Sequence, residues 1–214
     1  DKGEAEAPVA DDAVAIAGSE GGAGASENAD ALPVARHQEA VMLTPVERLA
    51  AKADGKQWEL VENQRGITYY KLFGPYLAGA KKIVVEDAYV RKPYQLRNLA
   101  EFLEMLLRCK NSDEDVAVHL VTGHNEPGFV EAQIDGLNEL ASTFSQLGVN
   151  LTYEFRDTLH DRSITSDTGW EILPGRGLDI FQKFVDGDWL NPLLRHQQLR
   201  RVKECKVTYR RVDG

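Results

Sequence analysis

Apolar residues recur along this chain with two different periods, one typical of strands and one typical of helices. The segments 81–87 and 116–121 are rich in β-branched residues, which predicts two buried strands. From Pro93 to about residue 107, leucine and phenylalanine recur every three or four positions, which predicts a long helix between these strands. A strand, a helix and a strand in this order are typical of an α/β domain.

The same two patterns predict the remaining elements. Further strands are expected at 58–61, 149–155, 170–173 and 205–209, and further helices at 45–53, before Gly79, at 130–147 and at 178–184. Thr44, Pro45 and Glu47 are typical of a helix start, and Gly148 is typical of the residue that follows a helix end. The predicted fold class is α/β, a mixed sheet with helices on both faces.

Composition divides the chain into two parts. Residues 1–40 contain twelve alanines, five glycines and no aromatic residue, and nine acidic side chains against two basic ones. Such a segment buries too little apolar surface to offset the entropy of ordering it. We therefore predict that residues 1–56 are an acidic, largely disordered linker with a short helix at 45–53. Residues 57–214 are expected to form a single domain.

Several classes of protein are not indicated by the sequence. Cys109 and Cys205 lack CxxC spacing, so we expect buried free thiols rather than a disulfide or a metal site. No apolar run approaches the roughly 20 residues of a membrane span, and the first residues do not resemble a signal peptide. We therefore expect a cytoplasmic protein with no metal and no cofactor. The low-complexity start, which lacks methionine, suggests the C-terminal part of a longer protein.

A short polar motif lies between residues 159 and 170. It places His160 two residues before Arg162 and seven before Asp167, and it resembles the phospholipase D signature His-x-Lys-x4-Asp with arginine in place of lysine. In a strand, residues i and i+2 point to the same face, so His160 and Arg162 can converge on one anion. Arginine holds its proton firmly and grips phosphate through a planar fork.

The resemblance to an active phospholipase D is incomplete. Such a site uses two histidines, one that attacks phosphorus and one that protonates the leaving oxygen. The other histidines of this chain lack a cation two positions later: His37, His119, His124 and His196. The Gly-Ser-x-Asn element of active members is replaced by Gly-Trp-Glu-Ile at 169–172. A complete catalytic site, with His160 and Asp167 as its catalytic residues, therefore requires two chains that each contribute one His160.

A longer set of residues resembles one branch of this superfamily. The segments concerned lie at 63–66, 72–73, 85–91, 95–98, 160–162, 169–170 and 175–181. They are similar to the phospholipase-D-like domain that follows the MIT domain in animal proteins, and the similarity covers nearly all of 58–214. The resemblance implies a phospholipase-D-like fold and, as in the animal members, non-catalytic binding of acidic membrane lipids. It also implies a bacterial setting, because bacterial versions resemble the end of Lon-protease-related ATPases, including those of BREX-type phage defence. Asp167 departs from the animal relative, which lacks this aspartate.

Five residues are candidates for an anion-binding site. His160 and Arg162 come from the motif, and Arg176 comes from a glycine-flanked turn. Asp87 and Arg91 lie at the carboxyl end of a predicted strand, where open α/β sheets tend to bind ligands. The structural alternatives are a hydrogen-bonded His160–Arg162 pair, a tight turn before a helix, and a salt bridge between strand and helix. Seven basic residues between 195 and 211 either face phosphate or guard a solvated strand edge.

The sequence therefore predicts a catalytically degenerate phospholipase-D-like module that binds phosphate-bearing partners, either lipid headgroups or nucleic acid. We expect it to be the C-terminal domain of a larger Lon-like ATPase, with that ATPase or another protein as partner and a homo-oligomer as an option. The alternative function is a phosphodiesterase or nuclease that works only as a homodimer through His160. A third hypothesis is a structural domain that docks a protein.

Overall fold

Seven strands form one mixed sheet in this protein, whose structure is a computed structural model that describes residues 43–183 and 191–212. The strands are β1 Trp58–Leu60, β2 Lys82–Asp87, β3 Val116–Thr122, β4 Val149–Phe155, β5 Arg162–Ser166, β6 Trp170–Pro174 and β7 Cys205–Arg211. Their order across the sheet is β1-β7-β6-β5-β2-β3-β4. Strands β2, β3 and β4 are parallel, and all other neighbours are antiparallel. The mixed α/β class predicted from the sequence is confirmed.

Helices cover one face of this sheet. They are α1 Pro45–Ala50, α2 Tyr69–Leu72, α3 Gly74–Leu77, α4 Pro93–Leu107, α5 Val130–Ser145 and α6 Pro192–Arg195, followed by a 3-10 turn at Gln197–Leu199. The apolar stripes of α4 and α5 join the inward residues of the sheet in a single hydrophobic core. The opposite face carries exposed residues: Val84, Ala117, Asn150, Thr152, Lys206 and Arg210. The sequence predicts helices on both faces; among the described residues, α4 and α5 pack on one face, and these side chains on the opposite face are exposed.

Four aromatic side chains occupy the centre of the core. Tyr69 stacks on Phe73 at 5.5 Å between ring centres and meets Phe102 and Phe181 edge-on. All four are fully buried, and the Tyr69 hydroxyl donates a hydrogen bond to the carbonyl of Leu178. Because Phe181 follows β6 and Phe102 lies on α4, this cluster joins distant parts of the chain.

The parallel arrangement of β2, β3 and β4 gathers several loops at one edge of the sheet. The residues that follow these strands leave the sheet at its carboxyl end, and β5 starts there because it runs antiparallel to β2. The register pairs Asp87 at the end of β2 with Arg162 at the start of β5. We call this region, formed by residues 87–92, 123–129 and 156–162, the carboxyl edge.

Helix α1 packs against the core of the domain. Leu49 of α1 is only 6 % exposed and belongs to the hydrophobic core. Thr44 and Glu47 form a reciprocal capping box at the start of this helix. The described residues from Leu43 onwards belong to one compact unit, so α1 packs with the domain, and the predicted boundary between 56 and 57 stays a prediction. The predicted disorder of residues 1–40 lies outside the described residues.

The helix predicted at 178–184 is not formed by residues 178–183, and Phe184 lies outside the described residues. Asp87 accepts the backbone N–H of Leu178, and Phe181 forms a β-bridge with Val202. The carbonyl of Ile180 accepts the N–H of Lys203. The backbone groups of this segment therefore bind to neighbouring chain segments instead of to one another.

The two cysteines are free, with Cys109 buried and Cys205 partly exposed. None of the helices in the described ranges is long and apolar enough to cross a membrane.

Candidate anion-binding site

Asp87 organises the start of the carboxyl edge. Its carboxylate is 2 % exposed and accepts the N–H groups of Tyr89 and Leu178, each at 3.0 Å. Burial raises the pKa of this carboxyl, although the two N–H donors and Arg162 act in the opposite direction. Gly177, with φ of +60°, passes so close that a Cβ atom would lie 1.9 Å from an Asp87 oxygen. Asp87 therefore fixes the 175–178 turn to β2, and both of its oxygens are occupied.

Arg162, the first residue of β5, lies beside the carboxylate of Asp87. Its Nε atom is 3.8 Å from Asp87, and its Nη1 donates to the carbonyl of Gly175 at 2.8 Å. The Nε atom is buried and has no hydrogen-bond partner among the described residues. The side chain as a whole is 28 % exposed. One side of the guanidinium is thus anchored, while part of the group still faces solvent.

A second arginine approaches the same tyrosine ring. The guanidinium of Arg162 lies 4.4 Å from the ring centre of Tyr89, and that of Arg91 lies 5.4 Å from it. Arg91 donates from Nε to the carbonyl of Ala88 at 2.6 Å. Its Nη2 lies so close to Gly123 that a Cβ there would come within 2.2 Å. Two anchored guanidinium groups therefore stand around one tyrosine ring that is 46 % exposed.

His160 lies two residues before β5, outside the helices and strands, and it is exposed. The neighbouring Leu159 is buried and packs with Ala88 and Val121 in a small separate cluster. This contact holds the segment against the sheet three residues before Arg162. The predicted grouping of His160, Arg162 and Arg91 at one edge is compatible with this arrangement, and its role in binding stays a prediction.

Asp167 and Arg176 are placed differently from the other candidates. Asp167 follows the far end of β5, about 16 Å from Arg162 at the usual rise per residue. There its carboxylate accepts the N–H of Lys81 at 3.1 Å, so it closes a turn at the opposite edge of the sheet. The exposed Arg176 donates from Nε to the carbonyl of Glu204. The helix start that was expected to support Arg176 is absent from residues 178–183.

The sequence also missed residues at this edge. The His124 ring lies 3.0 Å from the carboxylate of Asp157, and it stacks on Phe155 with 4.2 Å between ring centres. Gln133, 1 % exposed, donates to the carbonyls of Val90 and Gly123 and accepts the N–H of Asn125. His124 and Asp157 lie in loops, whereas Gln133 lies on α5, and the parallel pairing of β3 with β4 together with the packing of α5 brings them close to one another. No spacing along the sequence signals this proximity.

The basic residues near the C-terminus do not form one patch. Arg200 is buried against Glu101, and Lys203 and Arg210 pair with Asp179 and Glu171. Arg211 lies over the ring of Trp170 at 4.4 Å. Strand β7 lies between β1 and β6, so the interpretation as a guarded strand edge is wrong. No group of three or more His, Cys, Asp or Glu residues within 43–183 and 191–212 could hold a metal ion.

The mixed sheet, with a histidine and an arginine at the edge where β2 ends and β5 begins, defines a phospholipase-D-like domain. Residues 66–211 match the family described as the phospholipase D-like domain at the C-terminus of MIT, and the chain belongs to this family. A relative is MIT domain-containing protein 1 of Mus musculus, 37 % identical over 138 residues. The match covers 62 % of this chain and 54 % of the mouse protein, so the chain spans about half the length of that relative.

Proposed function

We propose that this domain binds phosphate groups at its carboxyl edge and no longer hydrolyses them. The observation that carries the proposal is the pair of guanidinium groups of Arg162 and Arg91 around the exposed ring of Tyr89. Each group is also held by a backbone carbonyl, that of Gly175 or that of Ala88. Side chains that are ordered before binding lose little conformational entropy when a ligand arrives, which favours affinity.

The chemistry of the edge suits an oxyanion such as phosphate. Arginine presents a rigid fork of N–H donors that matches phosphate oxygens, and the imidazole of His160 supplies another N–H donor. The ligand in this proposal is a phosphate-bearing surface, either an acidic lipid membrane or nucleic acid. The whole chain has a formal charge of −9, so binding depends on this local concentration of positive charge.

Two features argue against turnover within one chain. A phospholipase-D-type reaction needs a second histidine preceding a cation, and the sequence offers His160 alone in that setting. Asp167, the third member of the motif, accepts the backbone N–H of Lys81 at the other end of β5. The alternative, a homodimeric phosphodiesterase or nuclease, draws support from the exposure of His160, which leaves this ring accessible to a second chain.

The binding proposal is tested with the full chain on vesicles of phosphatidylcholine with and without phosphatidylserine, and on a fluorescent DNA oligonucleotide. We expect binding to one anionic probe that weakens steeply with added salt. Arg162→Ala is expected to weaken it about tenfold or more, because hydrogen bonds to charged groups contribute about 1.5–3 kcal/mol. Arg210→Ala is the matched control, since Arg210 is exposed and paired with Glu171 on the uncovered face of the sheet. Equal affinities for the wild type and Arg162→Ala would refute the proposal.

The enzymatic alternative is tested on the same protein. Hydrolysis of a generic phosphodiester and of single- and double-stranded DNA is measured beside His160→Ala, together with the mass in solution. If the wild type is a dimer that hydrolyses these substrates and His160→Ala does not hydrolyse them, the domain is an enzyme and the binding proposal is rejected.

We also propose that this domain is the C-terminal domain of a larger Lon-like ATPase of a bacterial phage-defence system. The support is the resemblance of residues 58–214 to bacterial domains in that position. The mouse relative suggests a competing parent, a protein with an MIT domain. The sequence of the parent protein upstream of residue 1 decides between them, because an ATPase carries a phosphate-binding glycine-rich loop and an MIT domain does not.

A further inference from the structure

Strand β4 is the last strand on one side of the sheet, so half of its backbone groups face away from any neighbouring strand. The carbonyl of Gly148 accepts the N–H of Val116 on β3. At the other end, Arg156 donates its N–H to the carbonyl of Thr122. Even-numbered residues therefore turn their N–H and C=O groups towards β3, and the odd-numbered residues turn theirs outwards. The outward groups belong to Val149, Leu151, Tyr153 and Phe155.

These outward groups have no hydrogen-bond partner among the described residues, because β4 pairs with β3 alone and no turn or side chain reaches them. Val149 and Leu151 are buried beneath their surroundings, whereas Tyr153 and Phe155 are partly exposed. The accessible part is thus the second half of the strand. We call the outward N–H and C=O groups of residues 151–155 the outer edge of β4.

Three devices that commonly keep sheet edges from pairing are proline, lysine and a β-bulge. The sequence of β4 contains neither proline nor lysine, and its register with β3 continues without interruption from Val149 to Phe155. The one charged residue of the strand, Glu154, contacts Arg156 and lies 3.7 Å from His119 of β3. Its carboxylate is therefore directed across the sheet and does not guard the outer edge.

The surface beside the outer edge is acidic. Helix α5 packs over β4 and carries the exposed Glu131, Asp135 and Glu139 and no basic residue. The Tyr153 hydroxyl donates to the side chain of Asn138 at 2.8 Å, which places this side of α5 beside the strand. Glu131 lies seven residues before Asn138 and Asp135 lies three before it, so both are on the same side of the helix. A strand added here therefore meets negative charge.

This charge determines which kind of strand fits. Arg156, which follows β4, is paired with Glu86 and Glu154 and does not offset the acids of α5. Pairing of β4 with the β4 of a second copy would bring two acidic helices side by side, and like charges at an interface repel. An extended segment with lysine or arginine side chains has the complementary charge.

We propose that the outer edge of β4 binds an extended basic segment of a partner protein as an eighth strand of the sheet. Backbone hydrogen bonds to Tyr153 and its neighbours supply the affinity, and attraction to Glu131 and Asp135 selects basic side chains. The proposal uses none of the residues proposed to bind phosphate, so the two stand or fall separately.

The experiment uses the full chain labelled with nitrogen-15 and an acetylated, amidated peptide in which four lysines alternate with three valines. Nuclear magnetic resonance follows the chemical shift and the hydrogen exchange of each backbone amide. In the free protein, the Tyr153 amide is expected to exchange at least about tenfold faster than that of Thr152, which is bonded to β3. With the peptide, we expect exchange at Tyr153 to slow about tenfold and the largest shifts to lie on β4 and α5.

Two control peptides separate the contributions. Glutamate in place of each lysine is expected to weaken binding about tenfold or more, because it reverses the attraction to α5. Methylation of every inner amide nitrogen of the lysine peptide keeps its charges but removes its donors, and this peptide is expected not to slow exchange at Tyr153.

A matched pair of variants tests the protein side. Tyr153→Pro removes an outward N–H without removing a hydrogen bond to β3, and proline is tolerated in that orientation on an edge strand. We expect it to lose the lysine peptide, whereas Tyr153→Ala keeps the N–H and retains the affinity within about threefold. Circular dichroism and thermal melting show whether each variant is folded. If Tyr153→Pro does not fold, the methylated peptide decides alone.

Three results would overturn the proposal. One is that the lysine peptide causes no change at β4. Another is that the methylated peptide binds as tightly as the unmodified one, because charge alone would then explain the binding. The last is slow exchange at Tyr153 in the free protein together with a dimeric mass in solution, since a second copy would then occupy the outer edge.

Discussion

Gly177 shows how one residue without a side chain sets the geometry of the carboxyl edge. The turn that contains it lies against Asp87, and it presents the carbonyl of Gly175 that anchors Arg162. A positive φ and a close approach both require glycine at this position. The predicted glycine-flanked turn is therefore important for Asp87 and Arg162, and its neighbour Arg176 contributes least to the edge.

We expect Gly177→Ala to destabilise the domain by about 2–4 kcal/mol, because its Cβ would displace the buried carboxylate of Asp87. Gly66→Ala is the control, since Gly66 also has a positive φ but no atom within 4 Å of a Cβ placed there. Its cost is limited to the backbone strain of about 1 kcal/mol. Urea unfolding of both variants measures the difference, and equal losses would contradict the steric argument.

Gln133 connects two loops of the edge through its amide. It binds the carbonyls of Val90 and Gly123 and the N–H of Asn125 while it is almost completely buried. Gln133→Leu leaves these groups without partners, and we expect a loss of about 2–4 kcal/mol of unfolding free energy. Gln146→Leu, at the exposed end of the same helix, is expected to change stability by no more than about 0.5 kcal/mol. Thermal and chemical unfolding of the two variants tests this contrast.

Sequence reasoning identified the candidate residues that lie close together along the chain. His160 and Arg162 were located by their spacing, and Arg91 and Asp87 by their position after a strand. His124, Asp157 and Gln133 could not be found in this way, because their contacts join three loops through the parallel register of β3 and β4. Asp167 was misplaced for the opposite reason, since closeness in sequence along an extended strand means separation in space.

At the scale of elements, α1 behaves as part of the domain. Leu49 enters the hydrophobic core, and Val46 lies 3.5 Å from the position of a Cβ on Gly79. We expect Leu49→Ala to lower the unfolding free energy by about 2–4 kcal/mol, the usual cost of removing a buried leucine side chain. Leu43→Ala, at a position that is 46 % exposed, serves as the control with an effect within about 0.5 kcal/mol. If Leu49→Ala is as stable as this control, α1 does not contribute to the folded unit.

The periodic elements were predicted well, and the irregular ones were not. Strands β2, β3, β4 and β6 and helices α4 and α5 lie within two residues of their predicted bounds, because long runs of one period leave little ambiguity. The helix expected at 178–184 failed because Leu178 and Phe181 bind to β2 and to Val202 instead of continuing a helical turn. Helix α6 was missed because four residues are too few to show a period.

At the scale of the whole molecule, one core links the first strand to the last. Buried residues from β1 to β7 belong to a single hydrophobic cluster, and Cys109 lies within it. Burial raises the pKa of the Cys109 thiol to about 12, so the reactive thiolate is scarce in the folded state.

We therefore expect a thiol reagent to modify Cys109 only when the whole domain opens. In a Cys205→Ser background, the free energy of opening obtained from the labelling rate should equal the unfolding free energy from urea titration. A labelling free energy that is several kcal/mol lower would show that α4 and its neighbours open separately.

The pairing of β1 with β7 determines how the domain responds to a pulling force. Trp58 at the start of β1 lies opposite Val207, and β7 continues from there to Arg211, so the chain enters β1 and leaves β7 at the same end of the pair. A force that separates these two points opens the three residue pairs one after another, whereas a shearing force would load all of them together. Mechanical unfolding should therefore begin with α1 and β1, and the carboxyl edge would keep its shape until the tension reaches β5.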